Sequence, residues 1–131
     1  MALAKPSAEI DKRIVTIGGA ATEIVFALGA GSSVVAADLS SIYPPQAREL
    51  PMVGYVRNIS PEGVLSMSPD LVIATGALGP PTARQMLERL DIDIIWLPNL
   101  STPEELLSSI KTVSERLALT DAAKVLIEEV N

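Results

Sequence analysis

The chain contains no histidine and no cysteine, and its 131 residues include only one tryptophan, one phenylalanine and two tyrosines. Zinc, copper and iron–sulfur sites of the ordinary kinds need imidazole or thiolate ligands, so the sequence excludes them. The same two absences remove the usual nucleophile–base pairs, and no serine occupies the strand-to-helix elbow of hydrolases. We therefore expect a protein that is not an enzyme.

Basic residues are also few, since ten Lys and Arg face sixteen Asp and Glu for a net charge of −6. Phosphate backbones are bound by clustered cations, and no basic run exists, so we expect no nucleic-acid partner. No apolar run approaches the roughly 20 residues of a membrane-spanning helix. Residues 1–12 lack the hydrophobic centre of a signal peptide and are expected to form a flexible tail.

Strand and helix patterns alternate along the rest of the chain, which is 48% hydrophobic and long enough for one domain with a continuous core. Short apolar, β-branched runs predict buried parallel strands at 13–17, 34–37, 71–74 and 93–97. Helical apolar spacing and capping residues predict helices at 22–28, 62–67, 81–90, 101–118 and 120–130. The alternation predicts an α/β fold, a Rossmann-like lobe whose central, mainly parallel sheet is covered by helices on both faces.

The segment 51–76, PMVGYVRNISPEGVLSMSPDLVIATG, carries the strongest functional signal. Tyr55 and Arg57 stand two residues apart, and in an extended segment both side chains project from the same side. A phenolate is a hard anionic ligand, and a nearby guanidinium favours it while offering two donors to a carboxylate. The pair suits a ferric, carboxylate-bearing ligand. The alternative is an aromatic residue that packs beside a solvated charge.

Two further features have both a functional and a structural interpretation. Gly18 and Gly19 precede a helix and could bring backbone N–H groups against an anion, or they could simply form a tight turn. GGAATE lacks the third glycine of a dinucleotide fingerprint. Tyr43, held extended by the prolines that follow it, is either a rival ligand or a cover for its loop.

The remaining candidate residues lie after position 59, in helices, strands and one loop. Ser60, Pro61 and Glu62 supply an N-cap, a proline at the first helical position and an acid in the first turn. Loop 76–81 follows a strand at its carboxyl end, where open parallel sheets bind ligands. Met86 is predicted to lie in the core, whereas Trp96 suits either the core or a cleft wall.

Three strings resemble the N-terminal lobe of bacterial periplasmic haem-binding proteins, the substrate-capturing components of haem ABC importers. They are RIVTIGGAATEIVFALGAG (13–31), DLSSIYPPQA (38–47) and LPMVGYVRNISPEGVLSMSPDLVIA (50–74). The GGAxTEI and VGYxR elements are typical of the haem branch. The SxEGxLSxxPDL element is shared with the wider class that also binds siderophores and cobalamin.

The resemblance implies a two-lobed protein outside the cytoplasm, in the periplasm, although this chain carries no signal peptide. Residues 13–119 would form the first lobe, residues 120–131 would begin the helix that connects the lobes, and the second lobe would be absent. With no imidazole or thiol, a ferric haem held here needs tyrosine, methionine or a distal ligand from elsewhere.

The resemblance also implies roles for individual residues. Tyr55 would ligate the haem iron, and Arg57 would pair with a propionate or steady the phenolate. Gly18 and Gly19 would face the propionates, and Leu78, with Val53 and Val56, would cover the apolar face of the ring. Glu62 would dock with arginines of the ABC permease.

Two alternatives remain open at this point. The same class of lobe could carry a siderophore or a cobalamin, with Arg57 binding anionic groups and Tyr55 only stacking. A Rossmann-like interaction domain without a small ligand is the other alternative. A lone lobe would leave one wall of the cleft exposed, which predicts a possible homodimer across the ligand side or through exchanged terminal helices.

Overall fold

The computed structural model describes residues 11–130, so nearly all of the expected tail over residues 1–12 lies outside this range. The strands are β1 (Ile14–Ile17), β2 (Val34–Ala36), β3 (Gly54–Tyr55), β4 (Asn58–Ile59), β5 (Leu71–Thr75) and β6 (Asp93–Leu97). The helices are α1 (Gly19–Ala27), α2 (Pro61–Ser66), α3 (Pro81–Arg89), α4 (Pro103–Arg116) and α5 (Thr120–Val130), with 3-10 segments at Gly31–Ser33 and Pro45–Glu49.

Four parallel strands form the central sheet in the order β2-β1-β5-β6. Ile14 to Ile17 pair with Leu71 to Ala74, and every residue of β1 and β5 is buried. Strands covered on both faces have no solvent-exposed side, which explains why these two consist of apolar residues and threonine. The α/β fold predicted from the sequence is confirmed.

Two apolar layers enclose the sheet, one on each face. Because side chains alternate along a strand, Leu71 and Ile73 point into one layer while Val72 and Ala74 point into the other. The first layer is completed by α1, α4 and α5. The second is completed by α2, α3 and the β3–β4 hairpin, so the hairpin is part of the core packing.

Capping residues fix the starts of α2 and α4 where the sequence predicts them. The Ser60 hydroxyl accepts a hydrogen bond from the Gly63 amide at 3.0 Å, and the Thr102 hydroxyl accepts one from the Glu105 amide at 3.1 Å. The Glu105 carboxylate in turn accepts from the Ser101 amide at 3.1 Å. Such reciprocal caps satisfy amides that the first helical turn leaves unpaired.

Two local expectations are wrong. Tyr55 and Arg57 do not lie on one extended segment, because β3 ends at Tyr55 and a two-residue turn at Val56 and Arg57 leads into β4. Met86 is not in the core but is 48% exposed. Only Ala83 and Leu87 of α3 are buried, and Met86 lies beside the narrow apolar stripe that these two residues form.

Trp96 is half-buried on β6. The Arg84 guanidinium lies 4.1 Å from the centre of its ring and is also hydrogen-bonded to Glu88 at 3.1 Å. This pair covers the second apolar layer next to α3. None of the helices within residues 11–130 has both the length and the apolar character needed to cross a membrane.

Candidate functional site

The β3–β4 hairpin is fastened to two loops that follow parallel strands. The Leu39 amide, just after β2, donates to the Gly54 carbonyl at 2.8 Å. On the other side, the Gly79 amide donates to the Val56 carbonyl and the Ile59 amide to the Gly79 carbonyl, each at 2.9 Å. These bonds place the hairpin at the carboxyl-terminal edge of the sheet, where ligands of open α/β sheets bind.

Apolar side chains support the hairpin from below. Val53, Val56, Ile59 and Leu78 are all buried, and Leu78 is only 5% exposed. Val53, Val56 and Leu78 therefore do not form the exposed cover that the sequence suggested, because the hairpin packs onto loop 76–81 and buries them. Contact between Leu78 and a ligand stays a prediction.

Tyr55 and Arg57 lie at the tip of the hairpin with their side chains accessible. Tyr55 is 45% exposed, and its hydroxyl has no hydrogen-bond partner within residues 11–130. The Arg57 side chain is exposed and likewise makes no hydrogen bond or ion pair in that range, so the two side chains are not bonded to each other. The phenol and the guanidinium of this hairpin are both available to a ligand.

The loop after β2 adds an apolar surface of which sequence reasoning found Tyr43 but missed Leu39 and Ile42. Leu39 is 61% exposed, Ile42 60% and Tyr43 47%. Of the seven large hydrophobic side chains exposed within residues 11–130, these three and Tyr55 lie on the loops of one edge. Such concentrations mark binding surfaces more often than scattered apolar residues do. The available signal was a leucine and an isoleucine inside a polar turn, DLSSIYPP.

The buried carboxylate of Asp38 joins the segments that meet at this edge through hydrogen bonds. Asp38 is fully buried, and its Oδ1 accepts hydrogen bonds from the Gly18 amide at 2.9 Å, the Ser40 hydroxyl at 3.0 Å and the Ser41 hydroxyl at 3.1 Å. Its Oδ2 accepts from the Ser40 amide at 3.1 Å. The Gly18 amide is therefore already bonded to a protein carboxylate. Ligand contact through Gly18 and Gly19 stays a prediction.

Hydroxyl groups continue the network into the sheet. The Ser41 and Thr22 hydroxyls are 2.7 Å apart, and so are the Thr22 and Thr16 hydroxyls. All three residues are buried. The chain of hydrogen bonds connects the loop after β2 with α1 and β1. A buried polar network in which every member is satisfied holds these segments in one arrangement.

Close packing accounts for the choice of glycine at positions 18 and 19. A Cβ atom on Gly18 would lie 2.5 Å from the Thr75 hydroxyl, and Gly18 has a φ of +102°. A Cβ on Gly19 would lie 2.8 Å from the Ser40 carbonyl oxygen. Larger residues are excluded by these contacts, so the tight-turn interpretation explains both positions.

Glu62 lies in the first turn of α2 with its side chain exposed. Ser60, not Glu62, caps the helix. The Glu62 carboxylate has no hydrogen bond or ion pair within the described part of the chain, so it is free to meet a partner.

Comparisons with known proteins agree with this architecture. A sequence profile described as periplasmic binding protein matches residues 14–131. The Vitamin B12-binding protein of Vibrio cholerae serotype O1 is 38% identical over 112 residues, which are 86% of this chain and 40% of that protein.

Among solved structures, the Periplasmic heme-binding protein BhuT in complex with two hemes has a TM-score of 0.84 at 37% identity, over 90% of this chain and 46% of that one. A Periplasmic Heme Binding Protein from Pseudomonas aeruginosa has a TM-score of 0.85 at 34% identity, over 89% and 42%. This chain spans less than half the length of each of these proteins. The resemblance drawn from the sequence is confirmed, and the chain belongs to the periplasmic binding protein family.

Proposed function

We propose that this chain is the N-terminal lobe of an extracytoplasmic binding protein that captures ferric haem and delivers it to an ABC permease. Tyr55 is the iron ligand and Arg57 pairs with a propionate or steadies the phenolate. No reaction is catalysed.

The exposed, unpartnered phenol of Tyr55 is the observation that carries this proposal. Its hairpin is held by backbone hydrogen bonds on both sides, so the backbone that carries the phenol has a defined position. A phenolate can hold haem iron without imidazole or thiolate, and the chain has neither.

The surroundings of Tyr55 suit the rest of a haem molecule. Leu39, Ile42 and Tyr43 offer apolar surface to a flat ring, and Arg57 offers donors to a carboxylate. The solved structures that this chain resembles at 34% and 37% identity are named as haem-binding proteins.

Hemin titration tests the iron ligand. Wild type should give a tyrosinate-to-iron charge-transfer band, and Tyr55→Phe should lose that band and bind hemin roughly tenfold or more weakly, because it removes an iron ligand. Tyr43→Phe is the matched control and should keep the band. An unchanged spectrum for Tyr55→Phe would reject the assignment, and a loss confined to Tyr43→Phe would transfer the role to Tyr43.

Cobalamin is the second candidate, favoured by the 38% identity to a protein named as binding vitamin B12. In that case Tyr55 contacts a corrinoid only through its ring face, so Tyr55→Phe should leave cyanocobalamin binding nearly unchanged. A competition titration separates the two: cyanocobalamin that displaces hemin at equal concentration would favour the corrinoid.

The remaining assignments concern the parent protein. We assign residues 13–119 to the first lobe and residues 120–131 to the start of the connecting helix. Ala123 and Leu126 of α5 are buried against the core. Their packing supports a connecting helix that runs along the surface of the lobe before it leaves the lobe. Glu62, exposed and unpaired on α2, is the proposed contact with the permease.

A further inference from the structure

Arg48 is placed beside the exposed loop by a hydrogen bond that the sequence did not suggest. It lies in the 3-10 segment Pro45–Glu49, and its Nε donates to the Ile42 carbonyl at 3.0 Å. The bond fixes the guanidinium against the loop that presents Ile42 and Tyr43. Within the described part of the chain only Nε forms a hydrogen bond, so the two terminal nitrogens keep their N–H donors.

Other arginines with defined side-chain contacts have protein partners. Arg84 and Arg116 pair with Glu88 and Asp93. Arg13 directs Nε and Nη2 to the Met67 carbonyl, at 3.1 and 2.8 Å. Arg48 has no carboxylate partner within residues 11–130, and neither have Arg57, Arg13 and Arg89. Arg13 precedes β1 and Arg89 ends α3 just before β6, so both lie at the opposite edge of the sheet.

Arg48 and Arg57 lie on segments that hydrogen bonds join at the same edge of the sheet. Arg48 is bonded to the loop after β2, and the Leu39 amide of that loop is bonded to the Gly54 carbonyl of the hairpin that carries Arg57. The same edge exposes Leu39, Ile42, Tyr43 and Tyr55. An apolar surface with two guanidinium groups matches an apolar ligand that bears two carboxylates.

We infer that Arg48 is a second carboxylate-binding residue of this edge, so that the lobe takes a flat apolar ring carrying two carboxylates, one held by Arg48 and one by Arg57. The inference rests on the proposed function and narrows its ligand class. Haem has two propionates, whereas a corrinoid whose acid groups are amides offers a single phosphate. Arg48 therefore favours the dicarboxylate ring over the corrinoid.

Hemin and its dimethyl ester, measured in the same detergent, test the inference on the 131-residue chain. Arg48→Gln should weaken hemin binding about tenfold, as expected for a lost charge-assisted hydrogen bond. It should not change binding of the ester, which has no carboxylate. Arg48→Lys, which keeps the charge, should recover part of the hemin affinity. Arg89→Gln removes the same charge at the opposite edge and should change neither affinity.

Three other outcomes would contradict the inference. An unchanged hemin affinity in Arg48→Gln overturns the inference, and the haem proposal still stands if the Tyr55-dependent band is present. If Arg48→Gln weakens the binding of hemin and of the ester equally, Arg48 only stabilises the loop, and the inference is also overturned. Absence of hemin binding to wild type rejects the proposed function and the inference together.

Discussion

The Gly18 amide donates a hydrogen bond of 2.9 Å to Asp38, whose carboxylate is fully buried 20 positions later in the chain. The bond connects the turn after β1 to the loop after β2, which presents Leu39, Ile42 and Tyr43. Asp38 therefore positions the loops at the carboxyl-terminal edge of the sheet, although its side chain is too buried to contact a ligand itself.

Asp38→Asn should lower the free energy of unfolding by about 1–3 kcal/mol, because an amide nitrogen cannot accept the hydrogen bonds that a carboxylate oxygen accepts. Hemin binding should weaken as well, since loop 39–43 loses its anchor. Urea unfolding followed by Trp96 fluorescence and a hemin titration measure the two effects.

The control for this variant is Asp70→Asn. Asp70 is exposed and accepts from the Arg13 amide at 2.8 Å, at the amino-terminal edge of the sheet. Its substitution should leave hemin binding unchanged. Equal loss of binding in both variants would contradict a positioning role for Asp38.

Gly18→Ala should destabilise the lobe by about 2 kcal/mol or more, since it combines a contact of 2.5 Å with Thr75 and a left-handed φ of +102°. Adding Thr75→Ala should restore part of the loss by removing the contact, while the backbone strain remains. Thermal unfolding of the single and double variants provides the measurement. A Gly18→Ala chain as stable as wild type would show that the turn relaxes freely.

Much of the fold follows from the sequence because its signals are local. Two fully buried strands appear as short runs of apolar and β-branched residues, IVTI and LVIAT, and the starts of α2 and α4 are marked by Ser-Pro and Thr-Pro. Each of these patterns depends only on neighbouring residues, so a single sequence is sufficient to locate them.

The site was less predictable because long-range contacts decide it. The turn at Val56 and Arg57 contains no glycine, asparagine or proline, so nothing local separated a hairpin from an extended strand. Likewise, the pairing of Asp38 with Gly18 and of Arg48 with Ile42 depends on how segments meet in space. Tyr55 as an iron ligand stays a prediction, made from residue chemistry and from the resemblance to haem-binding lobes.

Glu62→Arg should abolish docking to the cognate ABC permease without changing hemin affinity. The side chain is exposed on α2, away from the hairpin bonds, and its charge is reversed. Pull-down with the reconstituted permease, together with a hemin titration, tests the prediction. Glu88→Arg would not be a clean control because Glu88 pairs with Arg84, so Glu128→Arg, an exposed acid on α5, is preferred. Equal docking of Glu62→Arg and wild type would exclude α2 from the contact.

Ligand binding should also drive self-association of the 131-residue chain. A single lobe covers one face of a flat ligand, and the exposed side chains Leu39, Ile42 and Tyr43 lie on that same side. A second copy that closes on the ligand buries both sets of apolar surface, which favours a dimer only when the ligand is present. Light scattering should therefore give a mass of 13.8 kDa without hemin and twice that value with it.

Leu39→Asp provides the discriminating variant for this association. It places a carboxylate in the surface that the two copies would share, so it should keep the chain monomeric with hemin. Because Leu39 also offers apolar surface to the ring, the variant should bind hemin more weakly and is compared with wild type at saturating hemin, where the Tyr55 charge-transfer band reports the bound ligand. Val125→Asp changes an equally exposed apolar residue on α5 and should still dimerise if the copies meet across the ligand edge. The opposite pattern, with dimers lost only in Val125→Asp, would mean that the copies associate through their terminal helices instead.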